Sequence, residues 1–135
     1  NTQFNHPSEI TPDAGRACNM LQEAGIPVSN QSVLLKGVND NEDTMRRLLY
    51  GLQKISVRPY YLFHCDPVKG CYHLRTEMTE GLNMMENLLK NCSGLAMPQY
   101  VADLPGQSGK VPILALSGSL KNDLQKHQDF FDNFE

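Results

Sequence analysis

Residues 28–63 read VSNQSVLLKGVNDNEDTMRRLLYGLQKISVRPYYLF, and this segment decides the fold. Its first part, Val28 to Leu35, follows a short turn and predicts a β-strand in which amides interrupt an apolar run. Val57 to Phe63 is rich in β-branched and aromatic residues and predicts a second strand, with Pro59 near its start. The helix predicted between them, after Asp40, has its apolar residues on one face: Met45, Leu48, Leu49 and Leu52. The order strand, helix, strand is typical of a parallel βαβ unit.

The same alternation continues on both sides of this unit and predicts an α/β fold with a parallel sheet. A closed (β/α) barrel typically takes about 250 residues, so three and a half βα units correspond to an incomplete barrel, about half of one. Capping residues support the first helix, which has a hydroxyl, a proline and an acid at its start. The further elements expected are a strand at Thr2–Phe4, a helix from Thr11 to Gly25, a helix from Met78 to near Gly94, a strand at Gln99–Ala102 and a loop through Lys110.

The composition disfavours several functional classes. The 135 residues carry a net charge of −3 and have no basic cluster longer than Arg46–Arg47, so neither a nucleic-acid nor an anionic-membrane surface is expected. No apolar run approaches the roughly 20 residues that cross a bilayer, and no leader is visible, which favours a cytoplasmic protein. The four cysteines form no CxxC pair, so zinc and redox-dithiol sites are weakly supported.

Polar residues lie at or near the ends of the predicted strands, and ligands of parallel α/β folds bind at the carboxyl ends of strands. The candidates are Asn5, His6, Asn30, Gln31, His64, Cys65, Asp66 and Asp103. Several of them have a structural alternative. Gln31 could hydrogen-bond backbone inside a barrel, His6 could be a satisfied loop histidine, and Asp66 and Asp103 could be turn residues.

Asp66 and Asp103 are the most suggestive of these residues when they are taken together. Acids that directly follow adjacent parallel strands point into one pocket. Burying two carboxylates together costs free energy unless a cation binds between them. An ammonium ligand would relieve both charges. His64, Cys65 and Asp66 are consecutive, and adjacent strand residues point to opposite faces, so these three are not expected to converge on a metal or form a protease site.

The loop PGQSGK at residues 105–110 invites a phosphate-binding interpretation, but it does not fit the Walker pattern. Its first glycine is at the wrong distance, and Val111 follows the lysine where Ser or Thr is required. Lys110 could instead form a Schiff base with an aldehyde cofactor. The alternative is a solvated surface lysine.

Four blocks together resemble the lysine 2,3-aminomutase family. They are NHPSE at 5–9, NQSVLLKGVND at 30–40, RPYY at 58–61 with Asp66, and DLPGQSGK at 103–110. The resemblance covers residues 1–113 without gaps and fades in a divergent tail, 114–135. It implies the C-terminal half of a radical S-adenosylmethionine (SAM) type barrel with a pyridoxal phosphate (PLP) lysine loop.

The family's activity implies roles for particular residues. Its members interconvert L-lysine and β-lysine with PLP and with SAM bound to a [4Fe–4S] cluster. By resemblance, Lys110 is the catalytic lysine that binds PLP, Gln31 contacts SAM, and Asp66 and Asp103 hold the ε-ammonium of the substrate. Glutamate-specific relatives do not keep this acid pair, so the resemblance favours free lysine, in a protein expected to be a homo-oligomer when intact.

The departures from the family pattern leave alternatives open. The CxxxCxxC cluster motif and the substrate arginine are absent, as are the cysteines that bind zinc in some members, so no metal site is predicted. Gln3 replaces a histidine near the SAM site, and Phe63 replaces a tyrosine near the cofactor phosphate. One alternative is the branch that makes β-lysine for modification of an elongation factor. Another is an inert fragment, which would expose strand edges and self-associate.

Overall fold

The computed structural model describes residues 1–103 and 109–113, and it confirms the α/β class. Three short 3₁₀ turns, at Pro7–Glu9, Tyr72–Leu74 and Gly94–Ala96, lie between the main elements. The helices are α1 (Pro12–Glu23), α2 (Glu42–Lys54) and α3 (Met78–Asn91), and the strands are β1 (Ser29–Leu34), β2 (Arg58–His64), β3 (Gln99–Asp103) and β4 (Lys110–Pro112). The sequence of the tail also suggests a short helix from Leu120, and this segment lies outside the described residues.

The four strands form one sheet in the order β1-β2-β3-β4. The β1–β2 and β2–β3 pairs are parallel, as predicted, and α2 and α3 make the crossovers. The β3–β4 pair is antiparallel, with Asp103 opposite Lys110. The prediction that the loop extends through Lys110 was therefore wrong, because Lys110 is the first residue of β4. A glycine-containing polar segment hid this strand from the sequence pattern.

The predicted strand Thr2–Phe4 is reduced to a single parallel bridge between Thr2 and Asn30. Beyond that bridge, side chains of β1 replace the backbone ladder. The Oδ1 atom of Asn30 accepts from the Phe4 amide at 2.7 Å, and the Ser32 hydroxyl donates to the Phe4 carbonyl at 2.7 Å. Because Asn30 and Ser32 are buried, the polar residues of β1 on the core side attach this segment to the sheet.

Buried Asn39 continues this attachment at the end of β1. Its side-chain nitrogen donates to the carbonyls of Asn5 and Val33, both at 2.8 Å, and its oxygen accepts from the Leu35 amide at 2.7 Å. Asn5 in turn accepts from the Val33 amide through its own side chain. Buried backbone groups require such partners, so these asparagines fix the path of the chain at the carboxyl end of β1.

The core lies between one face of the sheet and the helices. The strands contribute Leu34, Leu62 and Tyr100 to it, and α1 contributes Cys18. Along β1, buried and partly exposed residues alternate, as expected for a strand with one covered face. The helix residues that complete the core are Met45, Leu48, Leu49 and Leu52 of α2 and Met78, Leu82, Met84, Met85 and Leu88 of α3.

The opposite face of the sheet carries Gln31, Val33, Tyr61 and Phe63, all partly exposed, and we call it the open face. Gln31 pairs with Tyr61 and Val33 pairs with Phe63 across the parallel β1–β2 ladder. In residues 1–103 and 109–113 no helix is both long and apolar enough to cross a membrane.

Candidate functional site

A cavity of about 370 Å³ lies at the carboxyl ends of the parallel strands. Asp66 follows β2 and Asp103 ends β3, and because these strands are parallel neighbours, their ends bring both acids to this cavity. Both acids are exposed in this chain, so the expectation that they are buried was wrong. Gln3 and Asn5 border it from the N-terminal segment. We call it the acid cavity, and its lining includes Gln3, Asn5, Phe63, Asp66, Cys71 and Asp103.

Among the described residues, Asp103 and Arg75 are the charged groups that act on the Asp66 carboxyl. Partial desolvation and the negative charge of Asp103 raise the pKa of the Asp66 carboxyl, and the positive charge of Arg75 opposes them. Two like charges at one site disfavour the ionised form, so a cation bound between these acids would restore it. The acid cavity is therefore suited to an ammonium group.

Arg75 is a site residue that the sequence analysis missed. Its Nε atom donates to the carbonyl of Cys65 at 3.3 Å, immediately before Asp66. This bond fixes the end of β2 and brings a guanidinium close to the acids. Arg75 lies nine residues after Asp66 and belongs to no periodic pattern or motif. It comes near the acids only because residues 65–75 fold back, and the sequence does not reveal that fold.

Lys110 extends across the open face from β4. Its Nζ atom lies 5.4 Å from the centroid of the Phe63 ring and 5.8 Å from that of Tyr61, within the range of cation–π attraction. Phe63 also lines the acid cavity, so the lysine amine and the acid pair share one neighbour. Gln31 pairs with Tyr61, farther from the carboxyl ends, and is not among the residues that line the acid cavity.

Two histidine candidates have structural roles. His6 caps the 3₁₀ turn Pro7–Glu9, where its Nδ1 atom accepts from the Ser8 amide and Glu9 closes a capping box. The His64 ring is buried, with Nδ1 2.9 Å from the hydroxyl of Tyr100. Burial and the positive charge of Arg75 lower the pKa of His64 to about 4, so it is neutral at physiological pH.

The lowered pKa of His64 predicts how stability depends on pH. The unfolded chain takes up this proton near pH 6.5 and the folded chain near 4, so the free energy of unfolding is highest above pH 6.5 and falls as the pH drops toward 4. The loss attributable to His64 is about 3 kcal/mol at an order-of-magnitude level. Urea unfolding of the intact protein from pH 7.5 to 4 measures it.

The matched control for this prediction is His64→Gln, which keeps a hydrogen-bonding side chain beside Tyr100 and removes the titrating ring. The difference in pH dependence between this variant and the wild type isolates His64 from the other titrating groups. An equally steep loss of stability in both proteins would contradict the assignment.

Paired acids at the carboxyl ends of parallel strands form a ligand-binding arrangement typical of α/β enzymes. No protein-family model matches the chain. It is 54% identical to a putative L-lysine 2,3-aminomutase of Aquifex aeolicus and 47% identical to the L-lysine 2,3-aminomutase of Fusobacterium nucleatum, in each case over 114 residues and 84% of this chain. It is also 46% identical to the glutamate 2,3-aminomutase of Clostridioides difficile over 114 residues.

At these identities, this part of the chain belongs to the lysine 2,3-aminomutase family. The chain spans only 27% to 31% of the length of these relatives. Among solved structures, a radical SAM methyltransferase from Sphaerobacter thermophilus superimposes with a TM-score of 0.51 at 20% identity, over 73% of this chain and 33% of that one. At this identity the likeness concerns the fold.

Proposed function

We propose that the intact protein is a radical lysine 2,3-aminomutase acting on free lysine, and that this chain supplies the C-terminal half of its (β/α) barrel. One observation carries the proposal: Asp66 and Asp103 line a single cavity, and the amine of Lys110 lies beside it over Phe63, in a homologue of lysine 2,3-aminomutases. The open face is then the inner surface of the barrel.

The acid pair would select the substrate by charge. A lysine side chain ends in an ammonium that can donate hydrogen bonds to both carboxylates, and charge-assisted hydrogen bonds of this kind are strong. After desolvation, the negative charge of Asp103 is the second cause that raises the pKa of Asp66, and a bound cation would relieve this repulsion. A substrate ending in a carboxylate would add a third negative charge and be rejected.

Lys110 and its surroundings fit the cofactor that the family resemblance implies. Its amine lies over the rings of Tyr61 and Phe63 on the open face, and from there it could meet an aldehyde. PLP, when bound, supplies the electron delocalisation that lets an amino group migrate, and SAM supplies the radical that starts the reaction. Tyr61 and Phe63 would exclude water from this surface, and Gln31, on the same face, would contact SAM.

The cysteines of this chain do not fit a [4Fe–4S] cluster, which needs thiolates grouped around one point. Cys18 is in the helix-side core, Cys92 packs against that core, and Cys65 and Cys71 line the acid cavity. The cluster ligands of the proposed enzyme therefore come from sequence outside this chain.

The test is product analysis with the intact protein, expressed with whatever sequence flanks residues 1–135 in its gene. After anaerobic cluster reconstitution, incubation with L-lysine, PLP, SAM and a reductant should give β-lysine. Cleavage of SAM without β-lysine would overturn the proposed substrate. The enantiomer of the product separates the free-lysine enzymes from the branch that modifies an elongation factor, because the two resembled branches make opposite enantiomers.

A further inference from the structure

Two of the four free cysteines border the acid cavity. Cys65 is buried at the end of β2, and Cys71 is partly exposed; both line the cavity together with Asp66 and Asp103. The other two thiols are elsewhere, Cys18 in the helix-side core and Cys92 packed against it. The structure therefore groups a pair of thiols that the sequence spacing did not suggest.

The loop between them folds back on itself. The Val68 amide donates to the Asp66 carbonyl at 2.8 Å, and the Cys71 amide donates to the Val68 carbonyl at 3.1 Å. Gly70 has a φ of 92°, in the left-handed region that favours glycine, and this permits the reversal. The second thiol is thus returned toward the first after only five residues.

The electrostatics of Cys65 agree with this geometry. Burial raises the pKa of the Cys65 thiol, and the next largest cause is the charge of Cys71, ahead of Arg75 and the adjacent Asp66. The geometric evidence that brings Cys71 and Cys65 together is the lining of the cavity that they share. Being the more accessible of the two, Cys71 is the thiol that an incoming reagent would meet first, and Cys65 is placed to resolve the product.

We propose that Cys65 and Cys71 form a reversible intramolecular disulfide that closes the acid cavity beside Asp66 when the protein meets a small-molecule disulfide. The Cys71 thiolate attacks the small disulfide, forms a mixed disulfide and releases one small thiol. The Cys65 thiolate then attacks the Cys71 sulfur and releases the second small thiol. The two protein thiols are oxidised, the reagent is reduced to two thiols, and the protons of the protein thiols pass to the released thiolates.

Peptide mapping tests the disulfide independently of any activity. Trypsin cuts after Lys69, between the two cysteines, and does not cut between Arg58 and Pro59, so Cys65 lies in peptide 55–69 and Cys71 in peptide 70–75. The intact protein is incubated anaerobically with oxidised glutathione, alkylated and digested. The expected result is a linked 55–69/70–75 pair that reduction separates, with a loss of two alkylatable thiols.

Two variants sharpen this test. Cys71→Ser should abolish the link and leave Cys65 alkylatable, whereas Cys92→Ser should leave the link unchanged. A stable glutathione adduct on Cys71 with no linked pair, or linkage to Cys18, Cys92 or a second chain, would overturn the proposal.

That the disulfide closes a substrate cavity rests on the proposed function. A second readout distinguishes failure of the disulfide from failure of the proposed function. If lysine binds between Asp66 and Asp103, saturating L-lysine should slow formation of the linked pair, whereas L-glutamate should not. If the linked pair forms equally fast with and without lysine, the disulfide itself is supported, but the claim that it closes a substrate cavity is contradicted. Absence of linkage alongside normal β-lysine formation would overturn the disulfide and leave the proposed function standing.

Discussion

Replacing Asp66 by asparagine is expected to weaken lysine binding to the intact protein about 5-fold, since Asp66 is exposed in this chain and an exposed ion pair contributes up to about 1 kcal/mol. Asparagine is close in size to aspartate, so the cavity keeps its shape while one of its two negative charges is lost. Asp103→Asn should have a similar effect, and the double variant should bind lysine no better than glutamate. Calorimetric titration with lysine measures these affinities.

Asp40→Asn is the matched control for the acid-pair prediction. Asp40 is exposed and lies in a different surface pocket with Glu80 and Thr76. Its replacement removes the same charge from the protein without touching the acid cavity. Equal losses of lysine affinity in Asp66→Asn and Asp40→Asn would show that net charge, and not the paired acids, attracts the substrate.

Replacing Gly81 by alanine is expected to lower the free energy of unfolding by about 1–3 kcal/mol, the typical cost of overpacking a core. Gly81 is buried in α3 where the helix meets the sheet, and an added Cβ would lie 2.7 Å from both Leu34 Cδ2 and Tyr100 Cζ and would collide with the Tyr100 hydroxyl. That hydroxyl holds His64, so the substitution disturbs both the core and the end of β2.

Gly94→Ala provides the control for Gly81→Ala. Gly94 is exposed, has no strained backbone angle and has no atom within 4 Å of the position a Cβ would take. Thermal unfolding of the intact protein should therefore show a clear drop in midpoint for Gly81→Ala and little change for Gly94→Ala. Equal midpoints for the two variants would contradict the close packing of α3 on β3.

The helices could be predicted from the sequence because their signals are local. Thr11 caps α1 through its hydroxyl, Pro12 occupies the first position, and the apolar stripe of α2 is the one that is buried. The first and last strands could not be predicted correctly. Thr2–Phe4 is attached through Asn30 and Ser32 side chains, and β4 forms only because residues 110–112 meet β3.

The acid pair could be inferred from the sequence because parallel strands bring their carboxyl ends together whatever lies between them. Arg75 and Cys71 could not be found, since both depend on the fold of the segment after β2, which has no periodic pattern. Asn30 and Gln31 are both site candidates from the sequence, yet strand alternation separates them: Asn30 is buried on the helix side and Gln31 lies on the open face. The roles of Lys110, Gln31, Asp66 and Asp103 remain predictions.

The chain is 47% identical to a lysine 2,3-aminomutase and 46% identical to a glutamate 2,3-aminomutase, so overall similarity does not indicate the substrate. The proposed substrate therefore depends on the acid pair. The decisive measurement is therefore a competition in which the reconstituted intact protein receives equal concentrations of L-lysine and L-glutamate. If Asp66 and Asp103 hold the substrate ammonium, β-lysine should accumulate with little or no β-glutamate. Predominant β-glutamate would contradict the assignment of the acid pair and the proposed function built on it.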